Sequence, residues 1–287
     1  MTRLGERLRL LFPHSSERSL KQWLINGRVR VNGRVARDPR TPVGDRDRVN
    51  LSSSKSSARA PFPSALTLVY EDGDLIVIDK PPGLLTITTE RERERTVYRL
   101  LWNYLAGQDP PARPFIVHRL DRETGGLLVF AKSPSAKRHL QAQFEARTAE
   151  RIYVALVEGR VGDDHGSLES WLTEDRGRRV RSVPARGSGA RPAQSARQAI
   201  THYRVLERGS HNSLVELTLG TGRRRQIRVQ LADLGHPIVG DLDYGGRRNP
   251  LRRLCLHATR LSFVHPGSSM LVRFESPAPV SFRRACN

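Results

Sequence analysis

Cysteine, aromatic residues and long apolar runs are all scarce in this chain of 287 residues. Its two cysteines, Cys255 and Cys286, are too few for a disulfide-stapled secreted scaffold or a four-cysteine zinc site. No window approaches the roughly 20 apolar residues that a membrane-spanning helix needs. The opening MTRLGERLRLLF lacks the apolar core of a signal peptide, so a soluble, cytoplasmic protein without a membrane partner is expected. No GxGxxG or GxxxxGK[ST] string occurs, which leaves dinucleotide and P-loop nucleotide binding unsupported. Nine histidines are scattered without HExxH or paired CxxC spacing, which leaves a zinc-site reading unsupported. Acidic residues are short as well, 29 against 49 Lys+Arg, leaving a formal net charge of +20. That excess attracts polyanions, of which nucleic acid is the commonest. Hydrophobic residues at 37% still suffice for a buried core, in one large domain or two modest ones.

The positive charge is uneven. Residues 1–60 carry 14 Lys/Arg and 5 Asp/Glu, about three times the net charge per residue of the remainder. This segment ends in the Ser/Ala/Pro-rich stretch LSSSKSSARAPFPSA, so domains are expected at 1–51 and 66–287, with a flexible linker over 52–65. Leu4, Leu8 and Leu11 have helical spacing, and Ser15 or Ser16 can cap a second helix that turns Leu20, Trp23 and Leu24 inward. Val29 and Val31 alternate with arginines before Asn32-Gly33, a two-residue hairpin signal, and GDRDRVNL adds a turn and a short strand. The run SSERSLKQWLINGRVRVNGRV, with the later GDRDRV, resembles the RNA-binding domain first seen in the fourth small-subunit ribosomal protein. That resemblance implies phosphate contacts by Arg18, Lys21, Arg28 and Arg30, positioning the protein on RNA without much sequence readout.

Beyond Leu66 the pattern reads strand, acidic turn, strand, a Pro-Pro-Gly stop, then a helix over TVYRLLWNYLAG. PFIVHRLDRETGGLLVFAKS reads strand, polar turn, strand, followed by a helix at SAKRHLQAQFEART and a strand at IYVALVEG. Many short strands and few helices without βαβ repeats indicate an α+β fold with a mixed, mainly antiparallel central sheet flanked by helices. Within the polar block, Asp121 and Glu123 are read as pointing to opposite faces, which argues against a glycosidase-type acid/base pair.

HRLDRETGG followed by LLVFA resembles the defining motif of the RluA family of RNA pseudouridine synthases. KPPGLL, YVALVEG, TGRRRQIRVQLADLGHPIVGDLDYG and LCLHATRLSFVHP resemble that family's other motifs, in family order over roughly residues 66–266. The resemblance implies an RNA-uridine isomerase that needs no cofactor or metal, and it gives His118 and His257 no metal role, so both are read as structural hydrogen-bonding residues; a monomer is expected. It implies Asp121 as the essential carboxylate, Arg228 as its ion-pair partner and Tyr153 as the ring that stacks on the extruded uracil. Arg119 would fill the space that the base vacates, and Leu256 would form an apolar wall. Ribosomal RNA of the large subunit is the expected substrate, with transfer RNA or a non-catalytic RNA-folding role as alternatives. Three positions depart from the family pattern: Gly125 replaces a serine, while Arg225 and Gln230 replace histidines on either side of QIR. Arg176–Gln198 holds seven arginines and no acidic residue, and reads either as a surface loop or as an RNA-gripping segment.

Overall fold

The computed structural model describes residues 2–13, 15–52, 61–90, 92–108, 113–175, 177, 179–183 and 195–287. Most of the expected linker, and most of the arginine-rich segment Arg176–Gln198, lie outside the described residues. The chain divides into two compact units, residues 1–63 with 100–113, and residues 64–99 with 114–287.

The first unit opens with β1 (Thr2–Arg3), α1 (Leu4–Leu11), α2 (Glu17–Ile25), β2 (Val29–Val31), β3 (Arg34–Val35), β4 (Pro42–Val43) and β5 (Val49–Leu51). Ser16 starts α2 by accepting the Ser19 amide at 3.2 Å, the side-chain cap that Ser, Thr, Asp and Asn supply. Asn32 and Gly33 both take positive φ (52° and 81°), which joins β2 to β3 in a two-residue turn. Asn32 also donates to Asp47 at 2.7 Å and accepts from the Arg48 amide at 2.9 Å, tying that hairpin to the GDRDR turn. Leu4, Leu8, Leu20, Leu24, Val29 and Val43 form its small core, against which Trp23 packs. Leu11, which shares the helical spacing of Leu4 and Leu8, is 45% exposed at the last residue of α1.

The larger unit is built on β6 (Thr67–Glu71), β7 (Leu75–Lys80), β8 (Phe115–Ile116), β9 (Gly125–Ala131), β10 (Glu150–Glu158), β11 (His165–Glu174), β12 (Val180–Val183), β13 (Arg197–Arg208), β14 (Asn212–Leu219), β15 (Leu256–Val264) and β16 (Leu271–Glu275). The helices that punctuate this run are α3 (Val97–Gln108), whose residues from Leu100 onward belong to the first unit, α4 (Pro134–Glu145), α5 (Gln226–Asp233) and α6 (Val280–Arg284). The strands form one sheet in the order β12-β11-β13-β14-β10-β15-β9-β7-β6, with β16 on β15 and β8 on β9. Among the described pairings of this sheet, β9 with β15 is parallel and the rest are antiparallel, the expected mixed α+β arrangement. All seven residues of β9 are buried, which explains why its sequence is a continuous apolar run rather than an alternating one. Ala136 and Leu140 of α4 join Leu75, Val77, Val129 and Phe263 in one core cluster. Val229 of α5 packs with Leu172, Val180 and Ala199 at the far end of the sheet. The central strands β9, β10 and β15 are held from both sides, so side chains at their ends are rigidly placed.

Candidate active site

The polar block 117–124 is a loop between β8 and β9, and local bonds fix its path. Thr86 Oγ1 donates to the Leu120 carbonyl at 2.7 Å and accepts the Leu120 amide at 3.2 Å. Buried Lys80, at the end of β7, donates from Nζ to the carbonyls of Pro81, Leu84 and Arg122 at 2.9, 2.8 and 3.1 Å. Burial pushes the Lys80 ammonium down to about 7, opposed by Glu123 and Asp121. The block thus emerges from two buried anchors, one a hydroxyl and one an amine.

Where β9 begins, the backbone passes unusually close to β15. Gly126 has φ of +108°, and a Cβ there would lie 2.3 Å from the Ala258 carbonyl oxygen. Gly126→Ala therefore meets both a backbone clash and a conformation that L-residues avoid. We expect a loss of about 3 kcal/mol or more by chemical denaturation, and a stability within 1 kcal/mol of wild type would refute this account.

A cleft of about 580 Å³ opens beside the loop, and Arg119, Asp121, Tyr153, Arg228 and Leu256 all line it. These five residues come from a loop, two adjacent strands and a helix, far apart in the chain. Arg119 is exposed, whereas Leu256 and Tyr153 are buried. Arg228 Nε and Nη2 donate to both carboxylate oxygens of Asp241 at 2.7 Å, and Nη2 also donates to Asp243 at 3.0 Å. This leaves Nη1 buried without a hydrogen-bond partner, 3.9 Å from an Asp121 oxygen and 4.0 Å from Glu123. Those distances are ion-pair contacts rather than hydrogen bonds. Burial raises the Asp121 pKa, with Arg228 pulling it back, and the net shift is upward. Burial would lower Arg228, but its bonds to Asp241 outweigh this and hold it charged. Burial also pushes the Tyr153 phenol up to about 12, so it stays protonated at neutral pH.

His118 accepts the Val129 amide on Nε2 at 3.2 Å and stacks on Phe144 at 4.6 Å. Burial first, then Arg151, pushes its pKa down to about 3, so it is a neutral structural histidine. His257 pairs with Ser276 at 3.0 Å. Of the familial departures, Arg225 lines the cleft, in the left-handed region at the N-cap of α5. Gln230 faces away from it and is saturated by bonds to Thr201, Leu168, Ser170 and Ala199. One expectation was wrong: Asp121 and Glu123 do not point apart, since both approach Arg228 Nη1. Residues two apart share a face even in extended chain, and here the Thr124 amide donates to the Asp121 carbonyl at 3.2 Å, so the chain turns and brings both carboxylates to one side. Asp241 and Asp243, which hold Arg228 in place, were not anticipated as site residues, although GDLDYG displays them at a two-residue spacing.

One group among the described residues, Asp72, Asp74 and His265, brings metal-type ligand atoms together. Asp72 is already committed there, accepting the amides of Asp74 and Leu75 at 2.9 Å and pairing with His265 at 2.7 Å. In the first unit Arg18 and Lys21 are exposed on α2. Arg28 and Arg30 instead donate to their own unit's backbone, at Ser52 (3.0 Å) and Gly33 (2.8 Å).

Two family models match the chain, one described as RNA pseudouridylate synthase over residues 74–233 and one as S4 domain over residues 3–49. An uncharacterized RNA pseudouridine synthase of Bacillus subtilis, YhcT, is 34% identical, the match covering 95% of this chain and 88% of that protein. Ribosomal large subunit pseudouridine synthase D of Neisseria meningitidis is 36% identical over 96% of this chain and 76% of its own length. The Escherichia coli K12 protein of the same name is 32% identical over 96% and 87%. Among solved structures, human RNA pseudouridylate synthase domain containing 1 superposes with a TM-score of 0.61 at 27% identity, covering 75% of this chain and 84% of that one.

Proposed function

Since the chain belongs to the RNA pseudouridylate synthase family, we propose that it converts specific uridines of large-subunit ribosomal RNA to pseudouridine in the cytoplasm. The protein is thereby an isomerase acting on RNA. The observation that carries the finer reading is the convergence of Asp121, Tyr153 and Arg228 on one cleft. Relatives named for the ribosomal large subunit, together with the S4 domain, support ribosomal rather than transfer RNA.

The reaction breaks the bond between ribose carbon 1′ and uracil nitrogen 1, rotates the base, and joins carbon 5 to carbon 1′. The proton lost from carbon 5 is balanced by one gained at nitrogen 1, so no electrons are exchanged. Asp121 is the carboxylate that attacks carbon 1′ or removes the 2′ proton. Arg228, already immobilised by Asp241, opposes the upward pull of burial on Asp121 and so favours its ionised form. The target base must leave its stack, at a cost of a few kcal/mol. Arg119, exposed at the cleft, takes the vacated space, and the base enters between Tyr153 and Leu256.

Mapping pseudouridine in ribosomal RNA from a strain lacking the protein, and then restoring it, tests this function. At least one large-subunit site should vanish and return with wild type. If every site persists in the deletion strain, ribosomal RNA is not the substrate.

In the RNA-binding unit, Arg18 and Lys21, exposed on α2, serve as phosphate contacts, and Arg28 and Arg30 on or next to β2 add charge while bonded to their own backbone. Replacing Arg18 and Lys21 by glutamine should weaken binding equally across RNA sequences. The slope of log affinity against log salt should fall by about 0.7 to 0.9 per residue removed. An unchanged slope would place the phosphates elsewhere.

A further inference from the structure

The cleft holds a second buried guanidinium that the Asp121–Arg228 pair does not use. Arg151 lies on β10 two residues before Tyr153, a spacing that puts both on one face of the strand. It lines the cleft and is only 8% exposed, yet it makes no ion pair or hydrogen bond among the described residues. Its Nε is a fully buried donor without an acceptor. The guanidinium rests on the Phe144 ring at 5.4 Å from the centroid. A Cβ at position 222 would come 2.4 Å from Nη1, so Gly222 leaves the group its place in the wall. Arg147, exposed in the same cleft, adds a second positive charge that disfavours the charged form of Arg151 in the same direction as burial. Glu145 also lines the cleft, and among the described residues no ion pair or hydrogen bond joins it to either arginine.

A buried cation without a counter-ion costs several kcal/mol. The cost is recovered when an anion arrives with the ligand. A neutral uracil carbonyl cannot neutralise two guanidiniums, whereas a phosphodiester offers charged oxygens that suit the arginine fork. We propose that Arg151 and Arg147 form a subsite for a backbone phosphate of the RNA strand that carries the target uridine. This rests on the synthase reading and adds a phosphate grip inside the cleft, separate from the amino-terminal RNA-binding unit.

The test uses the full-length protein with large-subunit ribosomal RNA from a deletion strain, labelled with tritium at uridine carbon 5, and a short fluorescent oligouridylate for binding. Arg151→Met should raise KM about 10-fold or more while kcat stays within about threefold. The salt slope of oligouridylate binding should drop by roughly 0.7, and Arg151→Lys should restore it. Because the lost charge has no partner in the free protein, the thermal midpoint of Arg151→Met should hold or rise. A lowered midpoint, failure to fold, or an unchanged salt slope would mean the arginine is structural and would overturn the subsite. Tritium release by wild type separates the two ideas. If wild type releases none while the slope still drops in Arg151→Met, the synthase reading fails and the phosphate subsite stands.

Discussion

Asp121→Asn is expected to abolish tritium release from uridine carbon 5, by about 10³-fold or more, without unfolding the protein. The side chain sits 3.9 Å from Arg228 in the cleft, and asparagine fits the same space without a nucleophilic or basic oxygen. Stability should not fall at neutral pH, and the sign follows from the direction of the shift. Burial raises the folded pKa of Asp121 above its unfolded value. The folded state therefore favours the protonated carboxyl, and ionisation costs stability as pH rises through the unfolded and then the folded pKa. Removing the charge at pH 7 leaves the thermal midpoint equal or higher. The same shift fixes the wild-type rate profile: the reactive carboxylate is lost as pH falls through a pKa above the ordinary aspartate value of 3.8. The acid limb of kcat/KM should consequently lie above pH 4, and it should vanish with the activity in Asp121→Asn. Retention of a tenth of the wild-type rate by this variant would remove Asp121 from the chemistry.

How far this site could be read from the chain depends on which residue one asks about. Asp121, Tyr153 and Arg228 each lie in a distinctive string, and the fold places all three along one cleft. The short-range elements were legible because their determinants are local: the Ser16 cap, the Asn32-Gly33 turn and the buried run of β9. Asp241 was different. Its importance comes from a bidentate bond to Arg228, 13 residues away, formed inside a buried pocket. Nothing in the local pattern of GDLDYG distinguishes that aspartate from a solvated turn. Arg151 and Lys80 were similarly hidden, since a basic residue in sequence carries no mark of being buried. Gln230 shows the opposite case: a departure from the family pattern that is saturated by hydrogen bonds away from the cleft. Burial and pairing, which decide what a charged side chain does, emerge only after the sheet has closed.

Asp241→Ala should be the most destabilising single change in the site. Its side chain is completely buried, and the Arg228 side chain that it holds is 4% exposed. Deleting one partner of such a pair leaves a charge in a poorly solvated wall, at a cost of about 3–5 kcal/mol. For a unit of this size the thermal midpoint should fall on the order of 10 °C. Asp243, 58% exposed and holding Arg228 through one bond, cannot replace the two-oxygen clamp. Below the new midpoint the protein should still bind RNA through its basic amino-terminal unit. The rate should nevertheless drop about 10²-fold, because a guanidinium displaced by about 1 Å no longer faces the Asp121 carboxylate. Arg228→Lys separates the two roles of this cluster. A lysine ammonium is a point charge, and it cannot span both Asp241 oxygens while presenting a further donor to Asp121. Its kcat should fall as far as in Asp241→Ala, whereas its midpoint should fall less, because a cation still balances Asp241. Equal midpoints for wild type and Asp241→Ala, or full kcat in Arg228→Lys, would show that the clamp does not hold the arginine for the reaction.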